Sequence, residues 1–228
     1  METLRVRPAT VADAAAIAAI YNQGIEDRVA TFETRPRTAA DVIAWFDGPH
    51  PVIVVERVAP AAPDGGGQDD APGEPVGADP AGPGTIGFAG GPACHSGMLD
   101  RSPHSGQPGV VVAFAATSGY RPRDCYAGIA EFSVYVERGS RGLGAGRLAM
   151  AALVEAATAA GFHKLVSRVF VENGASRALL RSAGFREVGT YERHARLDGA
   201  WRDVVIVERL LPDPADDQGT GRSHPPVT

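Results

Sequence analysis

Ser140-Arg141-Gly142-Leu143-Gly144-Ala145-Gly146 follows an alternating stretch, Ile129-Ala130-Glu131-Phe132-Ser133-Val134-Tyr135-Val136, and leads into a helical pattern that runs to about Ala160. Three alternate glycines let the backbone turn tightly and aim successive N–H groups at one point. A helix starting there adds the positive end of its dipole, and Arg141 adds a full charge. Such a turn suits a pyrophosphate. On spacing alone it also reads as the loop that opens a helix. It is not the G-x-G-x-x-G dinucleotide fingerprint, because the third glycine comes one residue early, and it lacks the Lys-Ser/Thr ending of a Walker loop.

Moving outward, Lys164–Val171 reads as a strand, Ala175–Ala183 as a short helix, and Phe185–Tyr191 and Arg202–Leu211 as strands. Upstream, residues 3–8 read as a strand. Thr10-Val-Ala-Asp13 and Thr38-Ala-Ala-Asp41 are capping boxes that open two helices. Gln23–Arg37 reads as the polar loop between those helices. Pro51–Glu56 and Val110–Ala116 read as buried strands. The order β-α-α-β-β-β-α-β-α-β-β predicts an α/β domain with a central mixed sheet flanked by helices.

Of the 46 glycines and prolines in 228 residues, 21 fall in residues 59–108. That composition predicts a disordered insertion with a stray strand at Thr85–Ala89, because it cannot bury enough apolar surface to offset chain entropy. Residues 212–228 read as a flexible tail. The expectation is one domain over 1–211, interrupted once. The net charge of −5 argues against a nucleic-acid or anionic-membrane partner. No run of about 18 apolar residues and no leader is visible, so a cytoplasmic location is expected. The six histidines show no metal-ligand spacing, and Cys125 has no histidine or basic residue beside it, so neither a metal nor a thiol nucleophile is expected.

Arg141-x-x-Gly144-x-Gly146 after the strand Phe132–Val136 resembles the acyl-CoA motif of the GNAT N-acetyltransferase superfamily. Glu172-Asn173-Gly-Ala-Ser176 with Ala183-Gly184-Phe185 is similar to that superfamily's next motif. Tyr120-Arg121-Pro122-Arg123, Ala130–Val136, Asp198-Gly-Ala-Trp201-Arg-Asp203, Tyr21-Asn22 and Ala30-Thr31-Phe32-Glu33-Thr34 resemble the phosphinothricin/arsinothricin N-acetyltransferase branch. The resemblance implies a GNAT-type acyl-CoA N-acyltransferase fold, acetyl-CoA as co-substrate, a small amino-acid acceptor and a homodimer.

It also implies roles. Glu131 becomes the general base, acting through water. Val134 and Val136 offer backbone groups to the thioester and pantetheine arm. Arg141, Gly142, Gly144 and Gly146 hold the pyrophosphate, and Asn173 and Ser176 line the same coenzyme cleft. Read from the residues alone, Glu131 faces either a wet cleft or an arginine on a solvated face, and Asn173 can be a simple helix cap. Arg121 and Arg123 suit a dianionic amino acid, since guanidinium pairs bidentately with carboxylate, phosphinate or arsinate; the alternative is a solvated basic loop. Tyr120, Thr31 and Phe32 complete the acceptor candidates. Leu180 stands where the superfamily often has Tyr and this branch often has His, and leucine handles no proton. Three other functions stay open: another small amine such as methionine sulfoximine, a protein N-terminus, or a non-catalytic acyl-CoA-binding module.

Overall fold

The computed structural model describes residues 3–59 and 109–212. The element order is β1 (Thr3–Pro8), α1 (Ala14–Asp27), α2 (Ala39–Ile43), β2 (Val52–Val58), β3 (Val110–Gly119), β4 (Ile129–Val136), α3 (Ala145–Ala159), β5 (Lys164–Phe170), α4 (Gly174–Ser182), β6 (Arg186–Leu197) and β7 (Ala200–Leu210). This is the α/β order that the sequence predicts. The expected insertion, with its stray strand, and the expected tail lie outside the described residues, apart from Ala59 and Pro212.

The strands form one seven-stranded sheet in the order β1-β2-β3-β4-β5-β7-β6. Neighbours are antiparallel except β4 and β5. Those two run parallel and pair only over Ile129–Glu131 against Lys164–Val166. Beyond Glu131 they part, while β4 stays paired to β3 as far as Val136. The sheet therefore carries a fork at its centre, and one edge of Phe132–Val136 is free of strand partners there.

Alternation along β4 sorts its side chains onto two cores. Tyr135 packs with Ile17 and Tyr21 of α1 and Val42 of α2. Ala130 and Phe132 pack with Ala149, Met150 and Leu153 of α3, and Val134 and Val136 border the same cluster. Burial on both faces explains why β2 and β3 read as nearly continuous apolar runs.

Two boundaries differ from the sequence reading. Helix α1 does not give way to loop at Gln23 but continues to Asp27 and ends on Arg28, whose φ of 57° is left-handed. Gly24 is thus inside a helix. A Cβ there would lie 2.5 Å from Tyr135 Cε1, so the glycine lets α1 approach β4 rather than stopping the helix. Strand β6 runs past Tyr191 to Leu197 through a bulge between Tyr191 and Ala195. Arg193 sits in the bulge at φ 48°, and its backbone N–H donates to Asp203 Oδ1 at 2.7 Å. The Asp198-Gly199 turn, with φ of 51° and 79°, closes the hairpin.

A charged cluster ties β1, β2 and the start of α1 together. Arg7 donates to both oxygens of Asp13 at 2.7 Å and to Glu56 Oε1 at 2.6 Å, and Arg5 donates to Glu56 Oε2 at 2.6 Å. Asp13 and Glu56 are buried. Hydrogen bonds from Arg7 hold the Asp13 carboxyl below its usual range. Burial pushes Glu56 up, but Arg7 and Arg5 together outweigh it and leave it lowered. Among the described residues no helix is long and apolar enough to cross a membrane, and no group of three His, Cys, Asp or Glu side chains is placed to hold a metal.

Candidate active site

The glycine-rich turn and the fork are one structure. Gly142 and Gly144 have φ of 78° and 89°, a region that favours glycine. A Cβ at either would meet nothing within 4 Å, so their requirement is conformational. Gly146 is different: a Cβ there would lie 3.1 Å from Leu179 Cδ2 and 3.2 Å from Val136 Cγ2. Small size at this position keeps α3 close to the end of β4 and to α4. The first N–H groups of α3 have no partner within the helix, and they open onto the same space.

That space is a cleft of about 550 Å³. Its walls include Val134 and Val136 of β4, Arg141, Gly142, Gly144 and Gly146 of the turn, and Asn173 and Ser176 at the start of α4. All eight coenzyme-side residues expected from the sequence thus meet in one cavity. Backbone direction along β4 explains why Val134 and Val136 matter. Glu137 N–H donates to Val112 O of β3, whereas Phe132 O accepts from Ser167 Oγ of β5 at 2.8 Å. Even-numbered residues of β4 therefore turn their polar backbone groups toward the fork, where the β5 backbone no longer pairs with them.

Asn173 serves two purposes. Its Oδ1 accepts from Ser176 N–H at 3.0 Å, capping α4, and its Nδ2 donates to Val29 O at 2.9 Å, strapping the loop after α1 across the cleft. Arg141 is not free. Its Nη2 donates to Asp27 Oδ2 at 2.6 Å and its Nε to Val136 O at 3.3 Å. Asp27 also accepts from Arg138 Nη2 at 2.7 Å. Arg141 first and Arg138 second hold the Asp27 carboxyl below its usual range against the cost of partial burial. Nothing in the sequence around Asp27 marks it, since its partners are more than a hundred residues away.

Glu131 lies at the point where β4 and β5 part, and its partly buried carboxylate is ion-paired to Arg168 of β5. The arginine is the partner that one reading of this residue expects; Glu131 itself is not among the residues that line the cleft. A small cavity of about 50 Å³ continues from the larger cleft, sharing Val134, Asn173 and Ser176, to Phe132, Ser167, Arg168 and Leu180. Leu180 is buried in the α3-side core. Its apolar surroundings fit the residue that is there.

The acceptor-side candidates do not line these cavities. Phe32 packs edge-on against Phe170 at 4.8 Å and lies 5.9 Å from the ring of His194, which is 5.5 Å from Tyr191. Thr31 is turned inward: its side chain hydrogen-bonds to Tyr135, and its Oγ1 accepts from Glu33 N–H at 3.0 Å. Burial first, then Tyr21, pushes the Tyr135 phenol far up, so it stays protonated. Tyr120 meets Tyr126 edge-on at 5.8 Å, and the exposed Arg121 guanidinium lies 5.1 Å from the Tyr120 ring. Arg123 is exposed on the same loop. Sequence reasoning missed Asp27, Ser167 and the bulge that carries His194, all set by long-range pairing.

A forked mixed sheet, with a glycine-rich turn and a helix start at the fork, is the arrangement that the resemblance to GNAT acyltransferases implies. Residues 93–185 match the acetyltransferase (GNAT) family. A phosphinothricin N-acetyltransferase of Streptomyces coelicolor is 38% identical over 101 residues, 44% of this chain and 59% of that protein. An L-methionine sulfoximine/L-methionine sulfone acetyltransferase of Pseudomonas paraeruginosa is 27% identical over 90% of this chain and 94% of that protein. The crystal structure of a phosphinothricin acetyltransferase from Sinorhizobium meliloti in complex with acetyl-CoA superposes with a TM-score of 0.65 at 24% identity, covering 93% of this chain and 91% of that one. Residues 93–185 thus match the GNAT acetyltransferase family, and the chain resembles N-acetyltransferases of the phosphinothricin branch.

Proposed function

We propose that this enzyme transfers acetyl from acetyl-CoA to the α-amine of a glutamate-like antimetabolite, phosphinothricin or arsinothricin, and so confers resistance to it. The observation that supports the reading is the convergence of eight coenzyme-side residues on one cleft, with Glu131 on the strand that contributes Val134 and Val136 to it. Gly142–Gly146 and the start of α3 offer N–H groups, and with Arg141 they suit the pyrophosphate. The open edge of β4 suits the amide-bearing pantetheine arm, and the N–H of Val134 is placed to polarise a thioester carbonyl. Glu131 accepts the proton of the attacking ammonium, directly or through one water. Arg168 orients that carboxylate. The amine attacks the thioester without a covalent acetyl-enzyme. Leu180 donates no proton, so the leaving thiolate is protonated by water or by another group such as Tyr191 or His194, or leaves unaided.

The acceptor class rests on Arg121 and Arg123, exposed on a loop that also carries Tyr120 and Tyr126. A second anionic group distant from the amine suits that pair. A second reading, methionine sulfoximine or its sulfone, is favoured by the relative that matches 90% of this chain. Thiol release from acetyl-CoA across a panel of amines separates the two. Phosphinothricin or arsinothricin turned over far better than methionine sulfoximine, methionine, polyamines or a peptide N-terminus supports the first reading. Preferred turnover of any other member defeats it, and no turnover of any amine points to a binding module.

A further inference from the structure

We infer that Asp27 is an intramolecular counter-anion that weakens the hold of the glycine-rich cradle on coenzyme A and so sets how readily the product leaves. The inference rests on the coenzyme reading above and adds to it a residue outside the motif. Asp27 is the last residue of α1, and it lines the same cleft as Gly142, Gly144 and Gly146. A carboxylate at a helix C-terminus faces the negative end of the dipole, an unfavourable place unless cations answer it. Here Arg138 and Arg141 both do, at 2.7 and 2.6 Å, with only 18% of the Asp27 side chain exposed. The turn is further fastened to α1 by Gln23 Oε1, which accepts from Arg138 N–H at 2.7 Å, and by the Glu26–Arg138 pair at 3.3 Å. The cation nearest the cradle is thus already engaged by a fixed anion.

A pyrophosphate entering the cradle meets Arg141, whose charge Asp27 partly cancels. It must share Arg141 with that carboxylate or displace it. Arg141 retains N–H donors beyond those given to Asp27 and Val136, so sharing is geometrically open. Either way, the carboxylate repels the incoming phosphates. Acetyl-CoA and coenzyme A carry the same pyrophosphate, so the effect falls on donor and product alike. Where product release limits turnover, a weaker hold raises throughput.

The test is Asp27→Asn, which keeps the shape and the hydrogen bond to Arg141 but removes the charge. Coenzyme A affinity by calorimetry should tighten about three- to fivefold, the size expected of one partly exposed charge, and the gain should shrink at high salt. The KM for S-acetylpantetheine, which lacks the phosphates, should not move. Asp27→Ser should act in the same direction, which covers a poorly folded Asn variant. Unchanged or weaker coenzyme A binding in these variants, with Arg141→Ala still weakening it, overturns the inference and leaves the cradle reading standing. Coenzyme A binding insensitive to Arg141→Ala overturns both.

Discussion

The coenzyme wall and the acceptor wall of this enzyme are built in opposite ways. The coenzyme wall comes from two short runs of chain, Val134–Gly146 and Asn173–Ser176, and works largely through backbone groups that a fork and a helix start leave open. The proposed acceptor wall would draw on side chains from segments far apart in sequence: Tyr120–Tyr126 before β4, and a separate ring cluster of Phe32 after α1 with Tyr191 and His194 on the bulged part of β6. Backbone anion sites tolerate wide sequence change because they need only glycine and a direction. A side-chain pocket changes its chemistry with each substitution. On the proposed reading, the first wall is the part shared widely among acyltransferases, and the second is where one substrate would be told from another.

The largest effect that would sharpen this contrast is on chemistry. Glu131→Gln should lower turnover about 10²–10⁴-fold while acetyl-CoA affinity stays near wild type. Turnover within a few-fold of wild type at neutral pH would remove Glu131 as the base and separate the fork from the reaction.

Next comes the shared support of both walls. Glu56→Gln leaves Arg5 and part of Arg7 without their buried partner, and should cost about 3 kcal/mol in denaturant unfolding. It should lower the population able to bind coenzyme and acceptor together, without favouring one. The same cluster sets an acid limit. Asp13 and Glu56 have folded pKa values below their unfolded ones. Their contribution is therefore complete above the unfolded carboxylate value of about 4 and is lost as pH falls through the folded values. The melting temperature should drop on acidification in wild type and drop less in the Glu56→Gln variant. Equal acid sensitivity would show that other carboxylates dominate.

The smallest effects should fall on the acceptor wall alone. Arg121→Ala and Arg123→Ala should raise KM for the glutamate analogues and leave acetyl-CoA affinity unchanged, because both side chains are exposed and solvent screens them until substrate closes the site. Wild-type kinetics in both variants, or a matching loss of acetyl-CoA affinity, would break the division between the two walls.

How far the sequence speaks follows the same division. Residues close along the chain declare themselves: the capping boxes at Thr10 and Thr38, the alternation of Ile129–Val136, and the glycines whose positive φ at Gly142 and Gly144 no other residue adopts easily. These fixed the element order, the cradle and the strand beside it. Tertiary structure alone decided the rest. Gly24 reads as a helix end until Tyr135 is seen against it. Asp27 reads as a loop residue until Arg138 and Arg141 close on it. Glu131 finds Arg168 only through the short parallel register of β4 and β5, and His194 reaches Phe32 only because a bulge displaces it. Local conformation is set by neighbouring residues, whose preferences are written in order. A contact between distant residues depends on how strands register and helices seat, which is settled only when the whole core packs.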